Sequence, residues 1–252
     1  MGVPISGSTA RRTAPLRLAE LPPIHAVEQS PSERLIDSVI RVGIVIALIG
    51  VAIQAVAGMT NIVLFHDEYT NLNPDREGNP FSWASAVATF AGGFVAILIG
   101  LARSDRRRLL VLGAILAFFS LDDTVRIHET WTLNVNEKVV GIEPRMLWPM
   151  LWLPLLATAF LVLWTTAREV VKRGGFLIRL GLVLLVAAVC LEVSAMKYGP
   201  EDDDLASAPY MLEVVTEEGA ELAGWTFIAL GLTALLVTTL STPTRRTTDR
   251  PV

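Results

Sequence analysis

Charge, cysteine and histidine are all scarce in this sequence. Asp, Glu, Lys and Arg make up 18% of its 252 residues, against about 25% in an ordinary soluble domain. With 52% hydrophobic residues and a mean hydropathy of +0.50, water is the wrong solvent for most of the chain. Cys190 is the single cysteine, which excludes an intrachain disulfide and any site built on paired thiolates. It sits in an apolar run and reads as a small hydrophobe. The net charge is -4 and no basic patch with interleaved aromatics occurs, so nucleic acid is not an expected partner. Also missing are a Gly-x-Ser-x-Gly elbow, a Walker loop, a His-Glu-x-x-His pair and a Cys-x-x-Cys pair, which removes the motif-bearing hydrolase, nucleotide-binding and redox classes.

What is there in abundance is apolar runs of spanning length. A helix crossing the hydrocarbon core needs roughly 20 mostly apolar residues, and such stretches fall at about 42–65, 81–102, 109–128, 146–167, 177–198 and 221–240. The expected fold is therefore all-α: a polytopic integral membrane protein with a six-transmembrane-helix bundle over residues 34–241. The Pro/Ser/Thr/Arg-rich residues 1–33, which include His25, read as a disordered cytoplasmic tail, and 242–252 as a second cytoplasmic tail. The third and fifth spans must take in ionisable residues to reach full length. Pro154 falls inside the fourth, where it is expected to kink the helix and free a backbone carbonyl.

Orientation follows from the basic residues. The N-terminal tail and first-helix entry, the loop holding Arg103, Arg106, Arg107 and Arg108, the loop holding Arg168, Lys172, Arg173 and Arg179, and the C-terminal tail together carry 16 of the 21 Lys and Arg. The opposite side carries 18 of the 25 Asp and Glu. Positive charge concentrates on the cytoplasmic side, so both termini are expected in the cytoplasm and the protein in the cell membrane, with the lipid bilayer as its first partner. Trp83, Trp131, Trp148, Trp152 and Trp225 gather at the outer boundary, where indoles prefer to lie.

The third stretch carries the chemistry. Its apolar run, Leu109–Leu121, is too short to cross and runs into Asp122-Asp123-Thr124-Val125-Arg126-Ile127-His128-Glu129. At 1.5 Å per residue, Asp122 lies about 20 Å from the inner edge of a core about 30 Å thick. Carboxylates at such depth are expensive and mark function by default. In a continuous helix, Asp122, Arg126 and Glu129 share one face at i, i+4 and i+7. The sixth helix is expected to begin with Glu213, Glu217 and Glu221 at four-residue spacing, with Glu218 beside them, a stripe whose repulsion a cation would relieve. Glu192 lies near the outer end of the fifth span with Lys197 at the rim, and His66-Asp67-Glu68 closes the first on the same side. Acidic groups of four helices thus converge on one layer.

Three readings suit this pattern. In the first, Asp122, Asp123, His128, Glu129, Glu192, Glu217, Glu221 and His66 supply ligands for a divalent metal ion or a proton, Arg126 and Lys197 tune the affinity, and the protein acts as a transporter or channel-like module. In the second, His66 and His128 join the aspartates in a metal-dependent hydrolase or transferase working on lipid. In the third, the acidic face docks a membrane partner or a second copy, with small residues at Ala220, Gly224, Gly92 and Gly93 permitting close helix contact. Bland readings stand beside each: an internal ion pair for Asp122 and Arg126, a solvated helix extension for Glu213, Glu217 and Glu218, and a loop residue for His66.

Overall fold

A computed structural model describes residues 30–66, 68–73, 78–127, 147–170, 172–198 and 208–241. The chain divides into two units, Met1–Ser30 and Pro31–Val252, and every helix of the described residues lies in the second. Among the described residues these are α1 (Pro31–Phe65), α2 (Pro80–Ala102), α3 (Arg108–Val125), α4 (Leu147–Ala167), α5 (Lys172–Tyr198) and α6 (Ala208–Ser241), with two single 3-10 turns and no strand. All helices but α3 are long and apolar enough to cross a membrane, their best windows reaching mean hydropathies of 1.7 to 2.5. The 18 residues of α3 span about 27 Å and include Arg108, Asp122 and Asp123.

Three helix ends depart from the sequence expectation, each for a local reason. Helix α1 starts at Pro31, so residues 31–33, expected in the tail, are helical; Pro pre-sets the first turn and Glu33 stands in it. Helix α6 starts at Ala208, well before the apolar stretch at 221, and its glutamates ride on that extension. Helix α3 stops at Val125 rather than 128, because Arg126 turns into the left-handed region (φ 59°, ψ 44°) and its backbone N–H donates to the Asp122 carbonyl at 2.7 Å. Glycine usually fills such a cap; an L-residue gives up about 1–2 kcal/mol there. The expected shared face of Asp122, Arg126 and Glu129 is thereby broken, since Arg126 leaves the helix at its end. Residues 1–29 and 242–252 of the tails, together with His128 and Glu129, lie outside the described residues.

Helix α6 is the hub. Half of its apolar window, 50%, is buried in the bundle, against 22% for α4 and 17% for α1, and it packs on α1, α2 and α5. Glycine sets the closest approaches. A methyl group on Gly181 of α5 would meet the Gly224 carbonyl of α6 at 2.5 Å, and one on Gly113 of α3 would meet the Gly93 carbonyl of α2 at 2.7 Å. Gly92, Gly93 and Gly224, small residues expected to permit close helix contact, thus meet other helices of the same chain. By contrast α4, which contains no glycine, contacts α3 and α5 only sparsely. The face left uncovered is apolar: Val45, Ile49, Ile53 and Val56 on α1 are each more than half exposed, a surface suited to lipid rather than water.

Most threonine hydroxyls within the helices are satisfied locally, Thr166 being a buried exception. Eight threonines, among them Thr89, Thr158 and Thr226, donate their hydroxyls to the carbonyl four residues back, the usual economy of helices without water around them. Thr158 donates to the carbonyl of Pro154 itself at 2.7 Å, and α4 continues across the proline. The segment joining α1 to α2 is fastened by asparagines: Asn61 donates to the Tyr69 carbonyl and accepts from its N–H, while Asn79 caps α2 and donates to the Asn73 carbonyl. At the other end, Glu169 accepts from Arg106 at 3.1 Å and from Arg108, and Arg173 pairs with Asp37. Three of the basic segments therefore meet at one end of the bundle. Asp105 lies there too, exposed, its carboxyl held below the usual carboxylate range by the hydrogen bond from Arg103.

Candidate functional site: an acidic cavity between four helices

The stand-off of α4 leaves a cavity of about 420 Å³ between α3, α4, α5 and α6. One end is acidic, lined by Asp122 and Asp123 of α3, Glu192 of α5, and Glu217, Glu218 and Glu221 of α6. Among the described residues lining it there is no Lys, Arg or His.

Helix register brings these groups to one level. Ser120 donates to the Ala86 carbonyl at 2.8 Å, which sets the register of α3 against α2 two residues before Asp122 and next to Ser85 in the chain. Ser85 in turn donates to Glu221 Oε1 at 3.0 Å, and the Trp225 indole donates to the same oxygen at 3.2 Å. Asp122 is only 3% exposed, and its Oδ2 accepts from the Trp152 indole of α4 at 2.8 Å. Two carboxyl groups thus accept from neutral donors of other elements or turns, which helps to position them. Glu218 stands within electrostatic reach of Glu221, Glu217, Asp123 and Glu192.

The structure sorts the sequence candidates. Asp122, Asp123, Glu192, Glu217 and Glu221 come together round one cavity. His66 does not join them: it ends α1 as an exposed residue with φ 48°, away from the cavity lining. Arg126 is half-buried at the α3 terminus and does not line the cavity either. The Lys197 side chain, like His128 and Glu129, lies outside the described residues. Sequence reasoning missed Glu218, Ser85, Trp152 and Trp225 as site residues. The signal for two of them was present: 217, 218, 221 and 225 fall at i, i+1, i+4 and i+8, one face of a helix, while Glu213, a turn before Glu217, is not among the lining residues. Ser85 and Trp152 carry no such signal, since only packing brings α2 and α4 to these acids.

One further buried polar group lies close by in register. Gly50 approaches Leu222, and Gly219 approaches Val51, so Gln54, one turn farther along α1, is level with the Glu217–Glu218 turn. Gln54 is 1% exposed and neither of its amide atoms is hydrogen-bonded.

Residues 44–237 match a family described as a domain of unknown function, DUF8692. The chain belongs to the DUF8692 family. No curated protein and no solved structure matches it. The DUF8692 region takes in every cavity-lining residue, together with Gln54 and Ser85, and leaves both tails outside.

Proposed function

We propose that the chain is a six-span protein of the cell membrane, with cytoplasmic termini, whose acidic cavity opens toward the outer face and binds a cation. The carrying observation is the gathering of six carboxyl groups from three helices round one cavity with no basic side chain among its lining residues. Such a concentration of one sign favours entry of protons or a cation. The bundle end at which Glu169, Arg106, Arg108, Arg173 and Asp37 meet serves as the cytoplasmic end, in keeping with the distribution of basic residues. The six-span count includes α3, whose 18 residues, about 27 Å, nearly match the core and whose aspartates face the cavity rather than lipid.

Binding rather than conduction fits best, because the cavity's other end is closed by apolar side chains such as Leu163 and Leu182. Among the described residues no three His, Cys, Asp or Glu form a metal-holding group, which takes support from the metal-dependent hydrolase reading and, within the cation-binding one, favours a proton or an organic cation over a metal ion. The docking reading loses Gly93 and Gly224 to contacts within the chain. The test is calorimetric titration of the purified protein in nanodiscs with Ca²⁺, Mn²⁺, Zn²⁺ and tetramethylammonium, with proton release followed in parallel. Asp122→Asn and Glu218→Gln are expected to weaken cation binding or proton release at least tenfold, a change of about 1.4 kcal/mol. Unaltered behaviour in both variants would end the proposal.

A further inference from the structure

A metal ion needs little room. One water molecule takes up roughly 30 Å³ of liquid, and a hard cation is held by oxygens that converge on it at about 2.0–2.6 Å. The cavity of about 420 Å³ exceeds one water's share by more than a factor of ten, and lies in the range of about 300–1,000 Å³ usual for organic ligands. Its polarity is divided. Beyond the carboxyl groups it continues as an apolar chamber lined by Leu156, Phe160, Leu163, Leu182 and Val186. Phe119, Trp152 and Trp225 also line it, aromatic rings of the kind that attract ammonium groups.

The chamber also has a side door. Leu153 and Phe160 of α4 and Val186 and Val189 of α5 all line the cavity, yet are 60%, 41%, 50% and 39% exposed. The cavity therefore opens between α4 and α5 onto the apolar outer surface, where the acyl chains of a bilayer would lie. An occupant arriving by that route has a hydrocarbon body, and the acidic end selects the sign of its charge.

We propose that the cavity takes one amphiphilic organic cation, an alkylamine or alkyl quaternary ammonium, with its hydrocarbon chain between α4 and α5 and its charged nitrogen beside Asp122, Glu218 and Glu221. This rests on the cation-binding reading and adds the apolar half of the ligand. The charge complementarity of the carboxyl end and the apolar chamber together set the class: a fatty anion lacks the right head, and a bare cation leaves the chamber unfilled.

The test uses equilibrium dialysis of the full chain in nanodiscs, with empty nanodiscs as background. The probes are decyltrimethylammonium, tetramethylammonium, decyl sulfate and Mn²⁺. Saturable binding of about one decyltrimethylammonium per chain is expected, at least tenfold tighter than tetramethylammonium, because each methylene buried is worth about fourfold in affinity. Asp122→Asn and Ala157→Trp should each weaken it tenfold or more; Ala157 is an exposed lining residue, so the second variant fills the chamber without touching a carboxyl group or a helix contact. Decyl sulfate binding as tightly as the decyl cation would overturn the proposal. So would Mn²⁺ or tetramethylammonium binding in an Asp122-dependent manner while the decyl chain adds nothing, though the cation-binding reading would then stand. Binding of none of the cationic probes, together with no Asp122-dependent proton release, would overturn both.

Discussion

The α5–α6 interface and the α4 wall are built from the same apolar alphabet and behave in opposite ways. Gly181 and Gly224 let α5 and α6 approach until a single methyl group would collide with backbone, whereas α4, Leu147–Ala167, contains no glycine and presents Trp152, Leu156, Phe160 and Leu163 to its neighbours. Among helices in lipid, where apolar side chains gain little by leaving the solvent, close approach depends on small residues. The absence of glycine holds α4 off, and the cavity is the space that remains. Site and scaffold are thus two outcomes of one packing rule.

Enlarging a side chain on each side of the cavity breaks this comparison most directly. Gly181→Leu is expected to destabilise the bundle by about 3 kcal/mol or more, as an overpacked contact against backbone, whereas Ala157→Leu should change stability by less than about 0.5 kcal/mol. Reversible unfolding in mixed micelles measures both, and equal effects would show that α4 is not set apart. Gln54→Leu should stabilise by about 1–3 kcal/mol, because it removes a buried amide whose hydrogen bonds are unmade. A loss of cation binding in that variant would instead tie Gln54 to the site.

An effect of similar size tests the polar tie from Trp152 of α4 to the acidic layer. Trp152→Phe keeps most of the ring but removes the indole donor from Asp122, and should cost about 1.5–3 kcal/mol, the usual value for a hydrogen bond to a charged group. A change below about 0.5 kcal/mol would mean that the carboxyl group does not need its α4 donor. Smallest is the comparison of Arg126→Gly with Arg126→Ala. Both remove the charge, so the difference isolates the left-handed backbone, and the glycine variant should be more stable by about 1 kcal/mol. Equal stabilities would show that the α3 terminus relaxes to another conformation.

The sequence was informative wherever an argument is one-dimensional. Apolar runs of about 20 residues located five helices suited to a bilayer, since hydropathy is additive along the chain. The Asp122-Asp123 pair and the Glu217–Glu221 stripe were visible as acids in or beside apolar segments, and the structure brings them round one cavity. Local rules failed at helix ends. The third helix was extended through His128 because nothing in Thr124-Val125-Arg126 resembles a glycine cap, yet Arg126 adopts the left-handed turn. Likewise His66 looked like a candidate beside two acidic residues, but the end of α1 leaves it exposed and off the cavity.

Composition and order by themselves determined that this is an all-helical chain with several helices suited to lipid, that its acids and bases segregate, and that Asp122 is costly where it stands. Those properties depend on each residue's own transfer energy and on its neighbours within a turn or two. Only the tertiary structure decided that Ser85 and Trp152 hold Glu221 and Asp122, that Glu218 belongs to the cluster, that the glycines serve contacts within the chain, and that an apolar chamber lies beneath the carboxyl groups. Each of these rests on which helices touch and how closely, a quantity fixed by side-chain bulk on facing surfaces rather than by hydropathy along the chain.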